Sequence, residues 1–215
     1  MKILLLGKTG QVGTAILKSL NPKFQIVSYN RAEIPLDNQA ILSEKLEKAL
    51  KKEQFSYLIN AAAFTDVEGA EKELSKAYEV NAKSLSTITE TIENMDGNKN
   101  KNKITIIHFS TDYAFDGSGE NPWLPHSNRN PINEYGKSKV LGEKILQNSK
   151  LPFLIFRTSW VFSSIGNNFL RKIISRIEKG DQLQIVDDQI GSPTSANFIS
   201  RFCEYILNNQ KFRNL

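Results

Sequence analysis

Cysteine is almost absent from this chain. Cys203 is the only one in 215 residues, so no intramolecular disulfide framework can hold the fold together. Histidine is nearly as scarce. Neither His108 nor His126 has a cysteine or a second histidine at metal-ligand spacing, and two histidines leave no defensible Ser/His/Asp hydrolase set. Long apolar runs are also missing. The first, Ile3-Leu4-Leu5-Leu6, stops at Gly7. It is short of the ~20 residues of a membrane span and of the roughly 7–15 apolar residues of a signal peptide. The expectation is a cytoplasmic protein with no membrane partner. No repeat and no clean interdomain linker interrupts the chain. Only the stretch from Asn94 to Lys103 lacks core-forming residues, Met95 apart, and it is expected to be a solvated loop.

What is present is ordinary globular material, 40% hydrophobic and 24% charged, which excludes collagen-like, coiled-coil and fully disordered chains. The net charge of +5 comes from lysines spread along the chain, so no nucleic-acid partner is expected. Apolar runs alternate with helical periodicity. Strands are expected at 2–6, 24–29, 57–59, 104–109, 153–156 and 183–186. Helices are expected at 11–20, 39–53, 74–93, 134–148, 167–179 and 197–209. Strands alternating with helices imply right-handed crossovers, hence an α/β fold with a doubly wound, Rossmann-like parallel sheet.

Gly7-Lys8-Thr9-Gly10-Gln11-Val12-Gly13 lies between the first strand and the first helix. This G-x-x-G-x-x-G run fits a phosphate-binding turn. One glycine makes the sharp turn, one lets backbone approach a pyrophosphate, and one lets helix and strand pack closely. The helix N-terminus adds free N–H groups and a positive dipole. A purely structural turn is the competing reading. The second strand runs on into Asn30 and Arg31, where an acidic residue would bind a ribose 2′-hydroxyl and an arginine suits a 2′-phosphate. NADPH is therefore the expected cofactor, with NADH left open. Asp37 is expected at the end of a further short strand, near the adenine.

Tyr135-Gly136-Lys137-Ser138-Lys139 is Y-x-x-x-K at a helix start, a spacing that puts Tyr135 and Lys139 on one face. A lysine cation beside a phenol should lower the tyrosine pKa toward working pH and let it give a proton to a carbonyl. Thr111 ends an apolar strand in Ser110-Thr111-Asp112, where its hydroxyl can meet the same substrate oxygen or merely cap the strand. His108, in mid-strand, reads as a satisfied core histidine, and Cys203 as core packing.

Together these residues resemble the extended short-chain dehydrogenase/reductases and, more narrowly, the dTDP-4-dehydrorhamnose reductase family. The likeness continues through Asn60-Ala61-Ala62-Ala63-Phe64-Thr65, Ser110-Thr111-Asp112-Tyr113-Ala114-Phe115-Asp116-Gly117, Gly142-Glu143, Arg157-Thr158-Ser159-Trp160-Val161, Gly166-Asn167-Asn168-Phe169 and Asp188-Gln189-Ile190-Gly191-Ser192-Pro193-Thr194. The resemblance implies NADPH-dependent reduction of the C4 keto group of dTDP-4-dehydro-6-deoxy-L-mannose to dTDP-L-rhamnose. It implies Thr111, Tyr135 and Lys139 as the catalytic trio, with Lys139 also holding the nicotinamide ribose. Gly10, Gln11 and Val12 would meet the pyrophosphate, and Ala62, Ala63 and Phe64 the adenosine side. Thr111, Asp112 and Trp160 would contact the sugar nucleotide.

Some relatives hold magnesium near the first helix. Ala15 and Ile16 stand there in this chain, so no metal is expected. Residues 1–160 are read as the NAD(P)-binding domain and 161–215 as a partial substrate-binding region on the sheet's carboxyl edge. Relatives continue past Phe212-Arg213-Asn214-Leu215, which implies an open sugar site with cofactor affinity kept and low turnover. A homodimer is left open. The alternatives are a non-catalytic cofactor-binding regulatory subunit and another epimerase or dehydratase of the same superfamily.

Overall fold

The computed structural model describes residues 1–95 and 104–209. Its centre is strand β1 (Lys2–Leu6), whose side chains alternate between two packed layers. Leu4 and Leu6 face one core, and Ile3 and Leu5 face the other. A strand buried on both faces must be apolar throughout, which is why this run carries no polar position after Lys2. The first core is closed by helices α2 (Gln39–Lys52) and α5 (Ser84–Met95), through Leu42, Leu46, Leu85, Ile88 and Ile92. The second is closed by α1 (Gln11–Leu20) and α8 (Ala196–Asn208), through Ile16, Leu20, Ile199, Cys203, Ile206 and Leu207. Cys203 is core packing, as expected, and burial pushes its thiol pKa up to about 12.

The remaining strands are β2 (Gln25–Tyr29), β3 (Tyr57–Asn60), β4 (Thr105–Thr111), β5 (Phe153–Phe162) and β6 (Pro193–Ser195). All pairings are parallel, in the order β2-β1-β3-β4-β5-β6. The chain adds β2 on one side of β1 and β3 on the other. Such a switch point opens a crevice beyond the strands' carboxyl ends, where ligands bind in open parallel sheets.

The structure departs from the sequence reading at four places. The helix expected at 74–93 forms without a break from Leu74 to Met95, but α4 (Leu74–Tyr78) passes into α5 through a five-residue π-helical segment at Glu79–Lys83, and a separate short helix α3 (Val67–Lys72) precedes it. The strand expected at 183–186 does not form. Ile185 and Val186 are exposed, and the sheet is extended instead by Pro193–Ser195 against β5. Asp37 follows no further strand; residues after Asn30 form turns up to α2. Asn94 and Met95 close α5 rather than opening a loop, and the rest of the expected loop, 96–103, lies outside the described residues.

Helix entries are set by asparagine and aspartate. Asn38, Asp66, Asn133 and Asn168 each accept a first-turn backbone N–H at the starts of α2, α3, α6 (Glu134–Asn148) and α7 (Phe169–Glu178). Helix α1 differs: the residue at its cap is Gly10, which has no side chain to accept the first-turn N–H groups. No helix among the described residues is long and apolar enough to cross a membrane.

Candidate active site

The glycine turn sits on the switch point. Gly7 has φ +87°, and a Cβ there would lie 2.7 Å from Ala62 N, so only glycine lets the turn approach the end of β3 this closely. Gly13 packs beneath it: a Cβ on Gly13 would lie 2.1 Å from Gly7 O. The turn is tied to the neighbouring strand by the N–H groups of Gly7 and Lys8, which donate to Tyr29 O at 2.9 and 3.1 Å. The uncapped first turn of α1 therefore opens onto a cavity of about 510 Å³.

That cavity gathers most of the residues expected to hold a dinucleotide. Gly7, Gly10, Gln11 and Val12 line one end, Asn30, Arg31 and Asp37 a second, and Ala62, Ala63 and Phe64 a third. Gly13 supports the turn from below. Arg31 is ion-paired with Asp37 at the rim, so the aspartate orients the guanidinium. Asn30 shapes the same rim: its side chain accepts the N–H groups of Ala32 and Glu33 at 2.9 and 3.1 Å. Glu33 pairs with Lys8 at 2.7 Å, and Lys8 is the main reason that its carboxyl pKa is lowered.

Tyr135 and Lys139 line the opposite wall, from the first turns of α6. Tyr135 is buried against Tyr113, ring centroids 5.8 Å apart and nearly perpendicular. Its hydroxyl hydrogen-bonds with Thr111, whose Oγ1 also accepts Tyr113 N–H at 3.2 Å. The trio is thus assembled from the end of β4 and the start of α6. The electrostatics correct the expectation of a tyrosine made more acidic. Burial, reinforced by Asp112 and Tyr113, pushes the phenol up to about 12, against the opposing Thr111 bond. Lys139 is itself desolvated, which brings its pKa down to about 8 against the pull of Glu143.

Thr111, Asp112 and Trp160 do not line the cavity; they lie beside it at the carboxyl ends of β4 and β5. Asp112 accepts a hydrogen bond from Ser159 Oγ at 2.6 Å and from Thr111 Oγ1 at 3.1 Å. Trp160 has φ 44°, an unusual left-handed backbone for a bulky residue, where the β5–β6 register slips between Ser159 and Val161. Its ring, partly exposed, stacks toward Phe169.

Several supports were not visible in the sequence. In the π-helical segment, buried Asn81 accepts Phe64 N–H at 2.9 Å and donates to Phe64 O and Ser138 Oγ, both at 3.0 Å. It therefore fixes the cavity's Phe64 wall to α6. Gln11 Oε1 accepts from Ser163 and Asn168, both at 2.9 Å, tying the glycine turn to the segment after β5. Fully buried Glu143 binds Arg157 through two hydrogen bonds, 2.6 and 2.9 Å, and Arg129 at 3.0 Å. Burial raises its pKa, but the arginines leave it net lowered.

Fold and site first define a class. A glycine turn at the switch point of a parallel sheet, facing Tyr135 and Lys139 across one cavity with Thr111 beside them, is the arrangement of the extended short-chain dehydrogenase/reductases. Comparison with known proteins then specifies the family: the model described as "RmlD substrate binding domain" matches residues 1–214, and the chain belongs to that family. It is 36% identical over 200 residues to the dTDP-4-dehydrorhamnose reductase of Shigella flexneri, covering 93% of this chain and 64% of the relative. The chain thus spans about 64% of the length of that curated relative. Among solved structures, the dTDP-4-dehydrorhamnose reductase of Clostridium acetobutylicum superposes with a TM-score of 0.87, at 29% identity, over 98% of this chain and 71% of that one. The corresponding enzyme of Bacillus anthracis, solved in complex with NADP, gives a TM-score of 0.85 at 27% identity, over 97% of this chain and 71% of that one.

Proposed function

We propose that this chain carries the cofactor-binding and catalytic part of an NADPH-dependent reductase, acting on the C4 ketone of dTDP-4-dehydro-6-deoxy-L-mannose to give dTDP-L-rhamnose. The single observation behind the reading is the cavity that joins the uncapped start of α1 to Tyr135 and Lys139. The residues fit the cofactor. Gly7 and Gly10 leave backbone exposed to a pyrophosphate, Arg31 stands where a 2′-phosphate needs a cation, and Ala62 and Ala63 offer a wall without bulk.

NADPH, when bound, supplies the hydride. The protein's own residues do the rest. The trio positions the ketone oxygen, and Thr111 and Tyr135 offer it hydrogen bonds. The Tyr135 hydroxyl then delivers the proton that completes the alcohol. A phenol with a pKa near 12 holds its proton at neutral pH, which suits a donor. Asp112 and Trp160, beside the trio, face the sugar nucleotide. The cytoplasm is the compartment this reading implies.

Fluorescence titration of the purified chain with NADPH and NADH tests it. Saturable binding, tighter for NADPH, is expected. Failure to bind either would refute the dinucleotide assignment.

A further inference from the structure

His108 is buried in the middle of β4, and the proposed chemistry makes no use of it. Its two ring nitrogens nevertheless touch both sides of the site. Nδ1 lies 3.4 Å from Asn60 Nδ2, and Nε2 lies 3.3 Å from Lys139 Nζ. Asn60 in turn accepts the backbone N–H of Ala62, on the cofactor wall, through Oδ1 at 3.2 Å. Lys139 donates to Phe109 O at 2.7 Å.

The order of donors and acceptors along this path is fixed from one end. A backbone N–H can only donate, so Asn60 must present Oδ1 to Ala62 and its NH₂ to His108. Nδ1 must then accept, and a neutral imidazole with a bare Nδ1 carries its proton on Nε2. That N–H points at Lys139 Nζ. An ammonium has no lone pair to accept it, whereas a neutral amine accepts it and still donates to Phe109 O. We propose that His108 is a positioning residue that holds the neutral form of Lys139 as a hydrogen-bond acceptor in the cofactor-free site, through the fixed sequence Ala62 N–H to Asn60 to His108 to Lys139.

The surroundings agree. Burial alone drives the His108 pKa well below its ordinary value, and Lys139 lowers it further whenever it is charged, so the ring is neutral in either state of the lysine. The charged or titratable groups about Lys139 are few. On α6, Tyr135 lies one turn before it and Glu143 one turn after. His108 faces it from β4, and Arg157 on β5 is already bound to Glu143. Glu143 therefore acts on Lys139 as a partly neutralised carboxylate. Charging Lys139 makes Nζ a donor only and sets it against the Nε2 proton. The protonation state of the lysine and the tautomer of the histidine are consequently coupled. What this does for Tyr135 rests on the reductase reading; the tautomer itself does not.

Two-bond nitrogen–proton NMR of the full chain, labelled with ¹⁵N-histidine, reads the tautomer directly. There are only two histidines, and His108→Gln assigns them. The expected result at about pH 9, where a lysine with a pKa of about 8 is mostly neutral amine, is a His108 ring protonated at Nε2 and bare at Nδ1. An Nδ1-protonated or doubly protonated ring overturns the proposal, and this measurement needs no variant to fold. In parallel, ¹³Cε shifts follow the titration of Lys139. His108→Leu, which removes the donor, should raise the Lys139 midpoint by about half a unit to one unit, roughly three- to tenfold in the amine fraction. An unchanged midpoint overturns the assignment. NADPH titration of the same sample separates the two ideas. Binding with the wrong tautomer removes the role of His108 alone, and the right tautomer without binding removes the reductase reading alone.

Discussion

Replacing Glu143 with glutamine tests how the wall that carries Tyr135 and Lys139 is held. The substitution keeps the shape and one acceptor oxygen but removes the charge that Arg157 and Arg129 share. Removing one partner of a fully buried ion pair costs about 3–5 kcal/mol, because the other charge is stranded. Here the carboxylate is wholly buried, but the two arginine side chains keep roughly a fifth of their surface in water. Hydration of the guanidinium groups offsets part of the loss, so about 2–3 kcal/mol is expected. At about 2–4 °C per kcal/mol for a domain of this size, Tm should fall by roughly 4–12 °C. The pH dependence carries a sign. The Glu143 carboxyl pKa is depressed on folding, so its stabilisation is fully present above the unfolded value, near 4.3, and is lost as pH falls through the lower folded value. The gap between wild type and Glu143→Gln should thus be widest at neutral pH and close under acid conditions, where a protonated glutamate resembles glutamine. Urea unfolding at several pH values measures it. A gap below about 0.5 kcal/mol at neutral pH, or one that does not narrow with acid, would show that the arginines do not anchor β5 to α6 through this carboxylate.

Other perturbations probe the cofactor end. Arg31→Ala should weaken NADPH binding about tenfold or more while leaving NADH nearly unchanged, since only the former offers the 2′-phosphate; equal losses would make Arg31 a bystander beside Asp37. Gly13→Ala places a methyl 2.1 Å from Gly7 O, so the turn must move; fluorescence titration should show loss of NADPH binding, with Tm lowered by several degrees. Normal affinity in that variant would show that the turn is not the phosphate site.

The legibility of this fold followed burial. Strands β1, β3 and β4 sit between two helical layers, so their residues form apolar runs that no other element explains. The glycine turn and the Tyr135/Lys139 pair were equally readable, because each is a local spacing with a local purpose. What escaped depended on partners distant in sequence. Strand β5 continues to Phe162 through Arg157, Thr158 and Ser159, whose polarity serves the site edge and hides the strand. Leu183 to Val186 has the hydrophobicity of a strand but no neighbour to pair with, whereas Pro193–Ser195 gains one in β5. The proline there sits at the first position of an edge strand, where it costs no ladder bond. His108 was legible as buried but not as a contact of Lys139, since that pairing joins β4 to α6 only in the folded chain. The phenol of Tyr135 illustrates the same limit: spacing puts Lys139 beside it, while burial sets the direction of its pKa.

Oxidation of NADPH by the purified chain, supplied with the dTDP-4-keto sugar and compared with Tyr135→Phe, is the decisive measurement for the proposed reduction. Substrate-dependent NADPH consumption by the wild-type chain is expected. In Tyr135→Phe, kcat should fall by about 10²–10⁴-fold with NADPH binding retained, the range that general acid catalysis supplies. Consumption that is independent of the keto sugar, or a Tyr135→Phe variant with unchanged kcat, would contradict it.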